Sequence, residues 1–296
     1  MKILYGRSVN GQDYLNDCTL HGLRQLNEIE VIDEPCPWYM YKNNFGPGKK
    51  DLKSIYGLGF TIFGTLDDIP VDRNDVLTKI KSKYYDIVIF SRVDHLPNYQ
   101  KEVFNNYPPN KIVVLDGQDW TGIPGGFLGR CLYFKRELVI DDPKIFPISF
   151  GFPKEKIQRK MEKTQLLARS IPDFKRKYIF NNEQDYYNDY NASYFGKTFK
   201  KAGWDSLRHY EILGSNCVPY FTDIQHCPNR CLTNLPKELF LEVKNLIELK
   251  TMEYFLTNEG KEIYHHLQEQ ILNHFNQNGT TVQVAKKLLD VIKKHQ

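Results

Sequence analysis

The stretch Asp86-Ile87-Val88-Ile89-Phe90, with Asn98 to Asn106 behind it and then Lys111-Ile112-Val113-Val114-Leu115, decides the fold class. Each flank is an unbroken apolar, β-branched run, the pattern of a strand covered on both faces of a parallel sheet. The middle segment reads as a helix, so the unit is strand, helix, strand. Working outward, Lys2 to Tyr5 reads as a strand. Asp17 to Leu26 reads as a helix with Leu20, Leu23 and Leu26 at helical spacing. Glu30 to Asp33 is a short strand ended by Pro35 and Pro37, and Phe146 to Phe150 closes the first half. Residues 1–152 are therefore expected to form a doubly wound α/β domain.

Residues 153–176 differ in character. From 153 to 177 there are nine Lys or Arg against three acidic residues, with Pro153 and Pro172 near the ends. This stretch is expected to be a basic linker or connecting helix. The second half, 177–296, restarts with a strand at Lys177 to Phe180. A helix from Asp185 to Phe199 follows, with Tyr186, Tyr190 and Tyr194 as a core-packing stripe. A helix opening at Asp205 or Ser206 comes next, then a strand from Val218 to Phe221. Helices over 237–250, 252–276 and 281–294 form a terminal tail.

Composition narrows the functional classes. With 41% hydrophobic and 26% charged residues, the 296-residue chain can bury a real core. A net charge of +4 is too mild to demand a nucleic-acid partner. No apolar run reaches the roughly 20 residues of a membrane span, and Arg7 interrupts any signal-peptide core. The six cysteines have no repeated spacing, as expected of reduced thiols. A cytoplasmic protein is expected, with peripheral membrane attachment through the basic stretch or helical tail left open. No metal site is expected, because His226, Cys227 and Cys231 lack a second ligand pair.

The chemistry is concentrated in Gly203-Trp204-Asp205-Ser206-Leu207-Arg208-His209-Tyr210-Glu211, running on to Cys217-Val218-Pro219-Tyr220-Phe221. Asp or Ser at the N-cap opens a helix whose first amides attract phosphate. Arg208 and Glu211 share one face of that helix. A guanidinium grips phosphate through a fork of donors, and a carboxylate accepts from a sugar diol. A nucleotide-sugar pocket is one reading; the other is a surface ion pair worth a few tenths of a kcal/mol. Gly203, Trp204 and Gly214 favour the pocket, since they suit a close approach and a flat apolar wall.

The string Gly-Trp-Asp-x-x-Arg-His-Tyr-Glu-Ile, followed by Cys-Val-Pro and an aromatic, resembles the donor domain of exostosin-like and CgeB-like glycosyltransferases. Asp13 to Asp17 with His21 to Arg24, Tyr133 to Glu137, and Tyr186 to Tyr190 are similar to further segments of that group. The resemblance implies the GT-B architecture, two Rossmann-like domains facing a cleft. It implies a hexosyl- or pentosyltransferase that uses a nucleotide sugar as co-substrate, with no other cofactor and no metal. By the same resemblance Glu211 accepts from ribose or sugar hydroxyls and Arg208 neutralises the leaving diphosphate. Gly203, Trp204, Asp205 and Ser206 complete the donor side.

For the base that deprotonates the acceptor hydroxyl, Asp116 and Asp119 lie just beyond the strand ending at Leu115, where α/β clefts form. Asp17 and His21, at i and i+4, are a second pair. Lys135 and Arg136 either meet the diphosphate from across the cleft or pair with Glu137. The acceptor, a glycan, lipid-linked sugar, protein or modified nucleobase, stays open. The competing readings are a nucleotide-sugar epimerase on the same fold and a non-catalytic nucleotide-sugar or nucleic-acid binder.

Overall fold

The computed structural model describes residues 1–7, 11–170 and 179–296. The first half builds a six-stranded sheet from β1 (Lys2–Gly6), β2 (Glu30–Glu34), β3 (Ile87–Phe90), β4 (Ile112–Asp116), β5 (Leu132–Lys135) and β6 (Ile145–Pro147). All pairings are parallel, and the strand order is β2-β1-β3-β4-β5-β6. The chain leaves β1 in opposite directions to β2 and β3, so a crevice is expected at the carboxyl ends of β1 and β3.

Alternate residues of these strands serve two separate cores. Ile3, Tyr5, Ile87, Ile89, Val113 and Leu115 pack on one face. Leu4, Val88, Phe90, Ile112, Val114 and Tyr133 pack on the other. Burial on both faces explains why the runs are apolar throughout rather than alternating. The first face is covered by α1 (Tyr14–Arg24), the second by α2 (Val76–Lys81) and α3 (Gln100–Asn106). Neither β5 nor α2 is expected from the sequence. Both are short, and Leu132-Tyr133-Phe134-Lys135 has no β-branched residue.

The second half builds a three-stranded parallel sheet, β7 (Gln165–Leu167), β8 (Ser193–Thr198) and β9 (Val218–Phe221), with order β7-β8-β9. The second half departs from the expected elements in two places. The basic stretch carries no connecting helix in its described part: it holds a short 3-10 turn at Lys154–Lys156 and the edge strand β7. The helix expected from Asp185 to Phe199 ends early, as α4 (Glu183–Asn191), and the chain turns into β8. Tyr194 has the phase of the helical stripe but stands on the central strand. Lys177 and Tyr178 of the expected strand lie outside the described residues; Ile179 and Phe180 form no strand.

Then follow α5 (Leu207–Gly214), α6 (Lys237–Lys250), α7 (Asn258–Asn278) and α8 (Thr281–Lys294). The last of these does not stay with the second sheet. Thr281, Val284, Ala285, Leu288, Leu289 and Ile292 form its buried stripe, and it packs on α1 of the first half. Gly22 makes that contact possible, because a Cβ there would sit 2.0 Å from the Thr281 carbonyl oxygen. One hydrophobic cluster consequently runs from the first sheet through Phe150 and Phe152 to Tyr187, Phe195 and Ile212.

Candidate active site

Ser206, not Asp205, is the N-cap of α5, in extended conformation and with no side-chain capping bond. The Asp205 carboxylate turns away and accepts from the Phe150 backbone N–H at 2.9 Å. Burial pushes the Asp205 carboxyl up to about 6. The first turn of α5 thus receives no hydrogen bond from a capping side chain.

The loop before α5 is tied to the end of β5. Glu137 accepts from the Trp204 N–H at 2.9 Å and the Asp205 N–H at 3.0 Å. Arg136 donates Nη1 to Glu137 at 3.0 Å and to the Asp205 carbonyl, Nε to the Gly117 carbonyl at 3.0 Å, and Nη2 to Asp119. Gly203 is needed at this junction: a Cβ would lie 2.6 Å from Glu137 Oε1 and 2.8 Å from Arg136 Nη1. The close approach inferred for Gly214 is instead to the Phe152 ring, which would stand 2.5 Å from any Cβ at that position. His209 supports the loop from below, donating Nε2–H to the Trp204 carbonyl at 2.9 Å and accepting at Nδ1 from Thr198 at 3.0 Å. Burial holds its imidazole neutral, with the pKa lowered to about 3.

These contacts shape a pocket of about 240 Å³. One side presents Tyr14, Tyr56, Asp119 and Arg136, the other Ser206, Arg208 and Glu211. Arg208 Nε and Nη1 are buried and have no hydrogen-bond partner among the described residues. Glu211 is nearly buried and accepts from the hydroxyls of Thr61 and Tyr186, the latter at 2.7 Å. Burial raises its pKa, while these two hydroxyls oppose the shift. A larger cavity of about 480 Å³ is lined by Met1, Lys2 and Glu30 at the amino ends of β1 and β2. Parallel sheets bind ligands at the other end, so the smaller pocket is the candidate.

The remaining site expectations divide sharply. Asp119 lines the pocket with its side chain 56% exposed. Asp116 does not: it is fully buried, and its carboxylate accepts from Lys135 Nζ at 2.7 Å, the Tyr133 hydroxyl at 2.6 Å and the Gln118 N–H at 3.0 Å. Lys135 is equally buried and belongs to that ion pair, so it does not face a diphosphate. Asp17 and His21 also part from expectation. Asp17 pairs with Arg7 at 3.2 Å and with the Tyr39 hydroxyl at 3.1 Å. His21 contacts Thr281 at 2.9 Å and Glu155 at 2.8 Å. Neither lines the pocket. Because α1 is covered by the sheet on one side and α8 on another, even its polar residues lie inside.

Glu137, Thr61, Tyr186 and Tyr14 also belong to this region, although the sequence pattern does not mark them as site residues. Glu137 has a signal, since it directly follows the cations at the end of β5. Thr61 has only the glycines around it, Gly57, Gly59 and Gly64. Among the described residues no group of three or more His, Cys, Asp or Glu side chains is placed to hold a metal ion, and no helix is long and apolar enough to cross a membrane.

Solved structures match the chain nearly end to end, among them the two that follow. An alpha-glucosyltransferase in complex with UDP and a 13-mer DNA containing a central A:G mismatch aligns over 99% of both chains, with TM-score 0.51 and 12% identity. A glycosyltransferase from Rickettsia africae aligns over 99% of this chain and 98% of that one, with TM-score 0.54 and 12% identity. The chain has a glycosyltransferase fold. No protein-family model and no curated protein sequence matches it. The overall fold is therefore what the chain shares with these enzymes.

Proposed function

We propose that this protein is a GT-B glycosyltransferase that moves a sugar from a nucleoside-diphosphate sugar to an acceptor hydroxyl. The observation that carries this reading is Arg208, with two buried donors unpartnered among the described residues beside the uncapped first turn of α5. An unpaired buried donor costs about 1–3 kcal/mol, a penalty a bound phosphate oxygen removes. The helix terminus adds its own partial positive charge. Arg136, across the pocket, is already neutralised by Glu137 and Asp119, so the charge of the leaving diphosphate is compensated by Arg208 and the helix terminus. In this reading the nucleotide sugar is the co-substrate and no other cofactor takes part.

Glu211, one turn along α5, is set to accept from the ribose hydroxyls. Asp119 is the pocket carboxylate best placed to take the acceptor proton, because it is reachable from solvent while Asp116 is locked under Lys135. Tyr14 and Tyr56, with ring centroids 5.7 Å apart, give the same side an apolar face on which a sugar or base can lie.

The test is calorimetric titration with UDP, GDP, ADP and CDP, followed by UDP release from UDP-sugars with and without candidate acceptors. The alpha-glucosyltransferase was solved with DNA, and a modified nucleobase is one of the acceptors the sequence leaves open, so DNA with hydroxyl-bearing bases belongs in the acceptor panel beside glycans. Binding of at least one nucleotide, weakened tenfold or more by Arg208→Ala, supports the reading. No binding of any of the four overturns it.

A further inference from the structure

The carboxylate of Glu211 already carries two hydroxyl groups, one on each oxygen. Thr61 donates to Oε1, and Tyr186 donates to Oε2 at 2.7 Å. That is the pattern a vicinal ribose diol makes on a carboxylate, and here both hydroxyls belong to the protein.

The two hydroxyls are held very differently. Tyr186 stands on α4, its ring packed against Phe60, Tyr187 and Tyr190 at 5.6, 5.7 and 5.1 Å. It belongs to the core. Thr61 arrives on a loop from the first half of the chain, across 150 residues of sequence. Gly57, Leu58, Gly59 and Thr61 all have positive φ, at 65°, 58°, 70° and 71°. For Leu, and more so for β-branched Thr, that conformation is strained by about 1–3 kcal/mol and persists only where surrounding contacts enforce it. The contacts are identifiable: the Thr61 N–H donates to Glu183, and the Thr61 and Tyr187 hydroxyls lie 2.8 Å apart. Lys156 in turn holds Glu183 at 2.7 and 2.9 Å.

We infer that Thr61 occupies the place of a donor hydroxyl on Glu211, so that nucleotide binding displaces it and the 57–61 loop that carries it. This rests on the reading of Glu211 as the ribose acceptor. Thr61 is then a residue that sets donor affinity: the donor exchanges its own hydroxyl for that of Thr61 and releases the strained loop. Removing the Thr61 hydroxyl relieves the competition while Tyr186 stays in place.

The experiment is calorimetric titration of UDP and of 2′,3′-dideoxy-UDP into the full chain and the variants Thr61→Val, Thr61→Ser and Glu211→Gln. Valine keeps the β-branched shape and removes only the hydroxyl. Thr61→Val is expected to bind UDP roughly tenfold more tightly, the scale of one hydrogen bond to a charged group. It is expected to leave dideoxy-UDP affinity unchanged, and Thr61→Ser is expected to stay near the parent value. If Thr61→Val is insoluble, Thr61→Ala carries the same expectation. Glu211→Gln weakening UDP while Thr61→Val binds it no tighter overturns the role of Thr61 and leaves the site standing. UDP binding that neither variant alters overturns the Glu211 reading itself, and binding of none of UDP, GDP, ADP and CDP to the parent chain does the same.

Discussion

Glu137, at the end of β5, holds the backbone of Trp204 through a 2.9 Å hydrogen bond from that residue's N–H. Its other oxygen takes the Asp205 N–H and the Arg136 guanidinium. A side chain of the first half thereby fixes the loop that starts the candidate donor helix of the second. Glu137→Gln replaces one acceptor oxygen with an amide N–H that faces a backbone donor, and leaves Arg136 short of a counter-charge. Breaking one partner of a buried ion pair typically costs about 3–5 kcal/mol. The variant is expected to lose stability on that scale in urea unfolding, and to bind nucleotide more weakly where it stays folded.

His209 predicts a distinctive pH dependence. Its folded pKa, about 3, lies below the ordinary 6.5. Below pH 6.5 the unfolded chain takes up a proton that the folded chain refuses, so acidification destabilises the fold through this group. The contribution is complete above pH 6.5 and is lost as pH falls toward 3. His209→Phe deletes it, together with the bonds to Trp204 and Thr198. The variant should be less stable at pH 7.5, and its deficit should shrink by about 1.4 kcal/mol at pH 5.5. Urea midpoints at the two pH values measure the difference, and a deficit that does not change with pH contradicts the neutral buried imidazole.

Asp119→Asn separates chemistry from binding. Asp119 touches Arg136 and the pocket but none of the α5 groups assigned to the nucleotide. Loss of a general base commonly costs about 10²–10⁴ in rate. Transfer should fall by that order while UDP affinity changes by less than about threefold, as a hydrogen bond of the Arg136 network is kept. Equal loss of both makes Asp119 a binding residue instead.

Gly22→Ala tests the crossing of α8 onto α1. The new methyl meets the backbone at Thr281, which has no rotamer to yield. Overpacking of this kind costs about 1–3 kcal/mol. A matching fall in unfolding free energy, with β-strand signals retained, is the expected result.

Much of the first sheet is legible in the chain because β1, β3 and β4 are apolar runs with only one good reading. The second sheet is harder for a specific reason. Ser193 to Thr198 carries Tyr194 in phase with the Tyr186 and Tyr190 stripe, so the period of α4 extends falsely into β8. β5 has neither length nor β-branching, and it is a strand because β4 and β6 flank it. Of the site, Arg208 and Glu211 stand out through their spacing on one helix, and the structure brings both to the pocket. Asp116, Lys135, Asp17 and His21 carry the right chemistry but spend it on buried partners, which spacing along the chain does not reveal.

The local pattern of residues by itself determined a parallel α/β sheet in the first half, a helix starting near Ser206, and an Arg and a Glu on one face of it. Tertiary structure alone decided that Glu137 clamps this helix start, that α8 crosses back to α1, and that Thr61 reaches Glu211. Periodicity and capping act over a turn or two of chain and are written in neighbouring residues. Hydrogen bonds between residues far apart in sequence depend on where whole elements pack, and only the folded chain sets that.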